Sequence, residues 1–492
     1  MVLFSGAQDL RKCESLSGAI WRPPSIFLRP TAYRVLMESL RADVPSKTSI
    51  HALESGSHVA VIGGGPAGSF FSYFLLDGAQ RFDIDVHVDL FEPRDFSLPA
   101  PLGCNMCGGV ISESLVQMLA VEGINLPPTV VQRGIESYFI HTDIGSARID
   151  TPLHEKRIAA VHRGSGPRDI KKIKWASLDG YLQGLAVEKG ARLVRERVDG
   201  FTWKDGRPQI KTRGGSPVAY DFVAVAVGVN SGVLKLFQGL VPGYQPPRAT
   251  KTFICEFQLG SETIERYLGS SMHVFLLNMP RLEFAAVIPK GDYVTVCLLG
   301  DEIDPPLVKS FLQSPQVRQC FPPDLPLDSP PCHCSPHISV HGAVRPFGDR
   351  IVFIGDCGVT RLYKDGIGAA YRTAKAAATT AVFNGISSED FRRHYWPVCR
   401  AIRTDNAIGK AIFAHTRLLR KFRHDIRGIL RMIAREQSED GGQPGMSMVL
   451  WDLFTGSAPY REILGRMLRP GFLARFLSSL ILANLPFKRN GG

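Results

Sequence analysis

The chain has 492 residues, 44% of them hydrophobic and 21% charged, which is an ordinary globular composition and not that of a low-complexity protein. This length predicts two or three domains, or two interleaved ones. The net charge of +12 is uneven, because residues 400–435 contain ten Lys/Arg against two Asp and the remaining chain is nearly balanced.

The N-terminal residues, the cysteines and the most apolar segment indicate the cellular environment that we expect for the protein. No secretory signal precedes the ten cysteines, which predicts a reducing, cytoplasmic environment and mostly free thiols. The most apolar segment, residues 472–485, is too short to span a membrane and contains Arg475. Residues 1–55 are rich in Ser, Pro and Arg, and we expect a flexible extension there.

A β-α-β unit is the first strong pattern. It consists of a strand at 58–62, the turn GGGPAG at 63–68, a helix to about residue 77 and a second strand at 86–91. Further elements are predicted, in chain order, as a Cys/Gly-rich loop at 101–110, helices at 113–122 and 178–189, and a strand at 222–227. This order is typical of a Rossmann-like domain.

A second sheet interrupts this domain. Residues 250–345 alternate strand-like runs with turns, which predicts an antiparallel sheet that holds a substrate. The chain returns with a strand at 350–354 and an Ala-rich helix at about 367–384, and everything after residue 389 is predicted helical. The fold class is therefore α/β: a Rossmann-like domain over 56–385, interleaved with the antiparallel sheet at about 126–174 and 245–345, and followed by a basic helical region at 386–492.

Three glycines in the turn of the β-α-β unit have the spacing of a dinucleotide-binding motif. Gly63, Gly65 and Gly68 have G-x-G-x-x-G spacing between a strand and a helix, a context that favours a dinucleotide pyrophosphate against the helix N-terminus. Pro66 and Ala67 complete this turn. Glu92 ends the second strand, where its carboxylate can accept hydrogen bonds from ribose hydroxyls.

A second glycine-rich segment distinguishes FAD from NAD. Residues 348–356, GDRIVFIGD, resemble the second FAD fingerprint of flavoprotein hydroxylases and reductases. The resemblance implies that Gly355 and Asp356 lie at the ribityl chain. It also implies that the helix opened by residues 365–368 faces the flavin pyrimidine edge, with Asp365, Gly366, Ile367 and Gly368 as cofactor-binding residues.

Further stretches resemble the geranylgeranyl reductase and aromatic hydroxylase type of NAD(P)/FAD-dependent oxidoreductase. Residues 175–182, WASLDGYL, are similar to a helix of that superfamily whose arginine partner would be Arg163. The loop CNMCGG at 104–109 and the strand FAAVIPKGD at 284–292 are similar to geranylgeranyl reductase segments. Arg94, Gly108 and Gly109 are then cofactor-binding residues. Two positions depart from the pattern: Val227 replaces an Asp, and Ala286 a Trp.

The resemblance implies an FAD-dependent oxidoreductase that transfers hydride to a hydrophobic substrate, such as an unsaturated isoprenoid or a quinone, with NADPH or NADH as donor. Two alternatives remain open. One is an FAD-dependent monooxygenase, and the other is a membrane-associated electron-transfer flavoprotein with a protein partner.

The cysteines allow three interpretations. Cys107 lies in the predicted flavin loop, where a thiol can act as a catalytic acid or redox group. Cys104 and Cys107 form C-x-x-C, and Cys332 with Cys334 forms C-x-C, so the four can also form a metal cluster if their loops converge. The third interpretation is plain packing, with no metal.

The C-terminal region contains a basic amphipathic pattern over residues 418–435. Such a helix can lie on the inner face of a membrane as a peripheral anchor, dock a partner or cap the core. Nucleic-acid binding is not expected, because no recognised module or aromatic platform accompanies the charge.

Overall fold

The protein is described from a computed structural model, which covers residues 52–104, 108–151, 158–168, 170, 173–438 and 445–484. Most of the predicted N-terminal extension, residues 1–51, lies outside these ranges, as does Cys107.

The strands are, in chain order, β1 (Ser57–Ile62), β2 (Val86–Phe91), β3 (Val110–Ile111), β4 (Val131–Ile135), β5 (Ser137–Thr142), β6 (Gly145–Asp150), β7 (Ile158–Val161), β8 (Arg192–Val194), β9 (Val198–Lys204), β10 (Arg207–Thr212), β11 (Val218–Ala219), β12 (Phe222–Val225), β13 (Arg248–Lys251), β14 (Phe253–Gln258), β15 (Ser271–Phe275), β16 (Leu282–Lys290), β17 (Tyr293–Gly300), β18 (Cys332–Cys334), β19 (His337–His341), β20 (Phe347–Gly348) and β21 (Ile351–Phe353).

The α-helices are α1 (Pro66–Arg81), α2 (Glu113–Val121), α3 (Leu178–Glu188), α4 (Ser261–Tyr267), α5 (Pro305–Leu312), α6 (Pro315–Arg318), α7 (Gly366–Phe383), α8 (Ser388–Asp390), α9 (Trp396–Leu419), α10 (Arg423–Ser438), α11 (Met446–Thr455), α12 (Tyr460–Met467) and α13 (Pro470–Asn484). A π-helical turn (Phe391–Tyr395) joins α8 to α9.

A six-stranded sheet in the order β20-β21-β12-β1-β2-β8 forms the first layer. Every neighbouring pair is parallel except β20 with β21. Alternate side chains of a strand point to opposite faces, so Val59 and Val61 pack under α1, α3 and α7, whereas Ala60 and Ile62 pack against β9–β11. This is the predicted Rossmann-like arrangement.

A seven-stranded sheet in the order β18-β14-β17-β16-β15-β5-β6 forms the second layer, and only β15 and β5 pair in parallel. Its strands fall at residues 137–150 and 253–334, inside the ranges predicted for the interrupting sheet. One face packs on the C-terminal helices through Phe284 and Ala286, and the other packs on α4–α6 through Phe275 and Val287. The sheet therefore has two separate buried faces.

The C-terminal region is helical, as predicted, but its amphipathic segment is used for packing. Ile426 and Ile433 of α10 are buried and belong to the core beneath the seven-stranded sheet. Gly428 of the same helix lies against Leu480 of α13. The apolar face of α10 is therefore covered by other parts of the protein.

Within the described part of the chain, no helix combines the length and the apolar character that a membrane span requires.

Candidate active site

A cavity of about 620 Å³ lies between the two sheets. The glycine-rich turn after β1 lines one end, together with the segment that follows β21. The other end is lined by side chains of the seven-stranded sheet and by Phe454 of α11. The two predicted glycine motifs, nearly 300 residues apart in sequence, thus meet at one site.

The first turn is shaped by close backbone contacts. Gly63 has a φ of +104°, and a Cβ there would lie 2.7 Å from the backbone oxygen of Ala226. A Cβ on Gly68 would lie 1.9 Å from the oxygen of Gly63. Gly65 is the N-cap of α1, and within the described ranges no side chain caps the first amides of that helix. These amides therefore point into the cavity end unpaired by a side chain, as binding of a phosphate requires.

Glu92 follows β2 and lines the same end of the cavity. Its Oε2 accepts from the Gly64 amide and its Oε1 from the Arg94 amide, both at 3.0 Å. Burial raises the pKa of Glu92, and these two amides partly offset that effect. The carboxylate is thus held in place by the turn, and each oxygen retains a lone pair for a ribose hydroxyl.

Asp356 and Arg163 also line the cavity. Burial raises the pKa of Asp356, with Thr360 and the charge of Arg163 acting in the other direction. Arg163 binds Asp179 of α3 with Nε to Oδ1 at 3.0 Å and Nη2 to Oδ2 at 2.8 Å. The helix that resembles the superfamily pattern therefore does hold an arginine through its aspartate.

The segment 364–368 opens α7 at the cavity. Asp365 has a φ of +52°, and its carboxylate accepts from Ser112 Oγ at 2.7 Å and from Arg372 Nη2 at 2.6 Å. Because these partners occupy the side chain, contact with a cofactor falls to the backbone of Asp365 and to the first amides of α7. A Cβ on Gly368 would lie 2.2 Å from Asp365 Oδ1.

Most of the predicted cofactor residues border the cavity. They are Gly63, Gly65, Pro66, Ala67, Glu92, Arg94, Gly108, Gly109, Arg163, Asp356, Asp365, Gly366 and Ile367. Gly68, Gly355 and Gly368 do not line it and pack behind its walls, where Gly355 has a φ of +64° and no room for a Cβ beside Ala67. Cys107 lies outside the described residues, so its catalytic role stays a prediction.

The far end of the cavity is apolar, and the sequence did not single out its residues. Met272, Phe284, Ile288 and Leu299 of the seven-stranded sheet line it, beside Ala286, the position where the reductase pattern carries Trp. Alternation along these strands marks them as buried but does not show which face meets a cofactor.

Lys364 is a further residue that sequence reasoning did not assign. Its Nζ lies 4.4 Å from the centroid of the Phe284 ring and 5.4 Å from that of Phe454. Burial lowers the pKa of Lys364 to about 7. Lys364 lines the cavity, and its amine gives up a proton more readily than that of an exposed lysine.

The predicted cysteine cluster is only partly assembled. Cys104, Cys332 and Cys334 line a second, small cavity of about 40 Å³ beside His162 and Glu256. Burial raises the pKa of Cys104 to about 11 and that of Cys334 to about 12, which favours thiols over thiolates. Among the described residues these three do not form a group with metal-ligand spacing; the group that does lies elsewhere.

The first end of the main cavity fits FAD. Glycines without space for a Cβ, uncapped helix amides and a ribose-facing carboxylate are the features that hold the diphosphate and adenosine half of a dinucleotide. Asp356 and the start of α7 fit the ribityl chain and the polar edge of the flavin ring. The adjoining end is lined by apolar side chains of the seven-stranded sheet.

The chain matches no protein-family model and no curated protein sequence. Solved structures of flavin-dependent enzymes do resemble it. The flavin-dependent brominase Bmp2 has a TM-score of 0.53 at 14% identity, with 84% of this chain and 98% of that chain covered. The halogenase PltM, in a complex with phloroglucinol and FAD, has a TM-score of 0.51 at 13% identity, covering 87% and 91%.

A third structure, FqzB, has a TM-score of 0.53 at 15% identity and covers 87% of this chain and 95% of that chain. At these identities the likeness shows the fold. It does not support the geranylgeranyl reductase part of the sequence resemblance. The chain therefore has the α/β fold of FAD-dependent enzymes.

Proposed function

We propose that the protein is an FAD-dependent monooxygenase-type enzyme that oxidises a hydrophobic, ring-containing small molecule with molecular oxygen. The observation that carries this proposal is Lys364, whose amine lies 4.4 Å from the centroid of the Phe284 ring in the wall of the cavity that the dinucleotide-binding turn also lines. FAD bound there would supply oxygen activation after its reduction.

The neighbours in fold support oxygen chemistry over the hydride transfer expected from the sequence. Two of them are named as a flavin-dependent brominase and a halogenase, and the halogenase binds phloroglucinol, an aromatic ring, together with FAD. An isoprenoid or quinone acceptor has no comparable support, so hydride transfer becomes the second candidate.

The residues of this chain have separable tasks in the proposal. The turn at Gly63–Gly68 and Glu92 hold the nucleotide, and Asp356 with Arg163 orients the flavin side. Phe284 and Phe454 exclude water and present ring faces to an apolar substrate. Lys364 can donate a hydrogen bond or a proton at the boundary, since its pKa of about 7 matches the operating pH that general acid catalysis favours.

We propose that the electron donor is NADPH, NADH or a reductase partner. The decisive experiment does not depend on which of these it is, because the flavin is reduced without any of them. The protein is loaded with FAD, reduced by light under argon and mixed with buffer containing oxygen, while flavin absorbance, oxygen uptake and free peroxide are followed. We expect oxygen uptake with flavin reoxidation, and less free peroxide when phloroglucinol is present as a probe ring.

Two outcomes would overturn the proposal. If the protein binds no FAD, the proposed cofactor is wrong. A bound reduced flavin that persists in air but is oxidised by a soluble quinone under argon would instead establish the hydride-transfer candidate.

A surface of α13 supports a separate proposal of membrane contact. Leu473, Leu477 and Ile481 are 40%, 57% and 63% exposed and lie at i, i+4 and i+8, so they form one apolar stripe. Arg427 and Arg431 of α10 are exposed, and Arg431 donates to the Leu482 carbonyl of α13 at 2.7 Å. We propose that this stripe, and not the buried face of α10, contacts an anionic lipid surface.

A further inference from the structure

A second polar cluster is buried on the side of the seven-stranded sheet that faces away from the main cavity. It consists of His141 on β5, His273 on β15 and Cys320 just after α6. Met272 lines the cavity, and since successive strand side chains alternate, its neighbour His273 points to the opposite face. The cluster is therefore separate from the proposed flavin site.

Parallel pairing brings the two histidines together. His141 is the register partner of Phe275, so His273, two residues before Phe275, shares the same face of the sheet. Both rings are nearly parallel, with an interplanar angle of 14°. The connection from α5 through α6 then places Cys320 over this pair.

The three side chains converge through atoms that bind metals. His141 Nε2 lies 2.9 Å from His273 Nδ1, and Cys320 Sγ lies 3.3 Å from the same nitrogen. All three ligand atoms lie within 4.8 Å of one another, and no other group of at least three Cys, His, Asp or Glu side chains in the described part of the chain does so.

The outer nitrogen of His141 is already engaged. Its Nδ1 lies 2.8 Å from Ser146 Oγ and 3.2 Å from Gln319 Nε2. A proton on Nδ1 can be donated to Ser146 Oγ, which leaves a lone pair on Nε2; this tautomer requires the Gln319 side-chain amide, whose nitrogen only donates, to turn its oxygen toward Nδ1. Orientation of a ligating imidazole through its other nitrogen is the usual second layer of a metal site.

Hydrogen bonds pair most of the cluster, since Cys320 Sγ lies 3.7 Å from the Gln316 carbonyl and the His273 ring has a backbone partner in Leu268. The His273 Nε2 atom is nevertheless buried and has no partner at ordinary hydrogen-bond geometry among the described residues. A buried polar group without a partner costs free energy. An ion at the centre would use the lone pairs of His141 Nε2 and His273 Nδ1 and the sulfur at once.

We propose that His141, His273 and Cys320 bind one zinc or copper(I) ion. Two imidazoles and one thiolate are ligands that these borderline and soft ions prefer. Tetrahedral zinc separates two nitrogen ligands by roughly 3.3 Å. Binding therefore requires the two nitrogens to move apart by a few tenths of an ångström and the two rings, whose centroids lie 5.1 Å apart, to tilt so that both lone pairs face the ion. Cys320 releases its thiol proton to solvent on binding, and no electron is transferred.

The ion would have a structural task. It would link two neighbouring strands of the substrate sheet to the segment that carries α5 and α6, on the face opposite the cavity. Metal binding is therefore expected to raise thermal stability without changing the flavin spectrum.

The test uses the full chain. Purified protein is incubated separately with Zn²⁺ and with Cu⁺ under reductant, passed through a desalting column and analysed for metal. We expect one ion per chain with at least one of the two metals, a Tm increase on binding, and loss of both in Cys320→Ala. The matched control is Cys399→Ala, another fully buried cysteine, which should keep the ion.

A second measurement does not depend on the folding of a variant. Wild-type protein loaded with Co²⁺ should show d–d absorption at wavelengths beyond the flavin bands, because cysteine and histidine ligands impose a low-symmetry site. A wild-type chain that retains neither zinc, copper nor cobalt would overturn the proposal. So would an ion that survives in Cys320→Ala but is lost in Cys332→Ser, since it would belong to the other cysteines.

Discussion

Arg163 and Asp179 are joined by two parallel hydrogen bonds of 3.0 and 2.8 Å, and the aspartate side chain is completely buried while the arginine borders the cavity. The buried Asp179 carboxylate therefore holds Arg163 in place in the cavity wall, and this carboxylate has no access to water. Removing the arginine would leave that charge without its principal partner.

We expect Arg163→Ala to lower the free energy of unfolding by about 3 kcal/mol, the order found when one partner of a buried ion pair is removed. FAD affinity should fall as well. Arg192→Ala is the matched control, because Arg192 binds Asp89 with the same two-bond geometry but is 74% exposed. Urea unfolding of both variants checks this; equal losses would contradict the role of burial.

Lys364 predicts a pH dependence of stability. Burial lowers its pKa from 10.5 to about 7, so between these values the unfolded chain binds a proton that the folded chain does not. Stability from this group should therefore rise with pH across that window. The penalty is fully present below pH 7.

The variant Lys364→Met removes this titration. We expect it to be more stable than the wild type at pH 6.5, with an advantage that shrinks toward pH 10, as measured by urea unfolding of FAD-loaded protein. Its coupling of oxygen uptake to the probe ring should be lost at every pH. Parallel stability curves for the two proteins would show that the amine does not titrate as described.

Two helical glycines test the dinucleotide turn. Gly68→Ala places a methyl group 1.9 Å from the oxygen of Gly63, so we expect loss of FAD binding and a large drop in Tm. Gly184→Ala is the control in α3, where a Cβ would meet nothing within 4 Å. Alanine there should raise stability by up to about 1 kcal/mol through helix propensity. Retained FAD binding in Gly68→Ala would contradict the proposed cofactor site.

These residues also show which parts of the fold and of the candidate site could be predicted from the sequence. The glycine turns were predictable because a close backbone approach leaves few acceptable residue types, and the strands predicted at 58–62 and 86–91 match β1 and β2 almost to the residue. Local patterns report such constraints directly. Residues of both predicted glycine motifs line one cavity.

What the sequence did not show depends on pairing between distant segments. His141, His273 and Cys320 are up to 179 positions apart; the parallel register of β5 with β15 unites the two histidines, and the segment through α5 and α6 brings Cys320 to them. Lys364 stood within a predicted motif, but its role follows from the Phe284 and Phe454 rings that other elements bring to it. The amphipathic pattern of α10 was read correctly, yet α13 and the sheet, and not lipid, cover its apolar face.

The exposed stripe on α13 makes the membrane proposal testable. We expect wild-type protein to sediment with vesicles of phosphatidylcholine and phosphatidylserine, and to be released by salt as the charge of Arg427 and Arg431 is screened. Replacing Leu473, Leu477 and Ile481 with Ser should abolish sedimentation while FAD binding persists. Val121→Ser, which changes a residue that is 85% exposed on α2, is the control and should sediment normally. Equal sedimentation of the triple variant and the wild type would assign any lipid contact to another surface, because the stripe would then contribute no buried apolar area to the bound state.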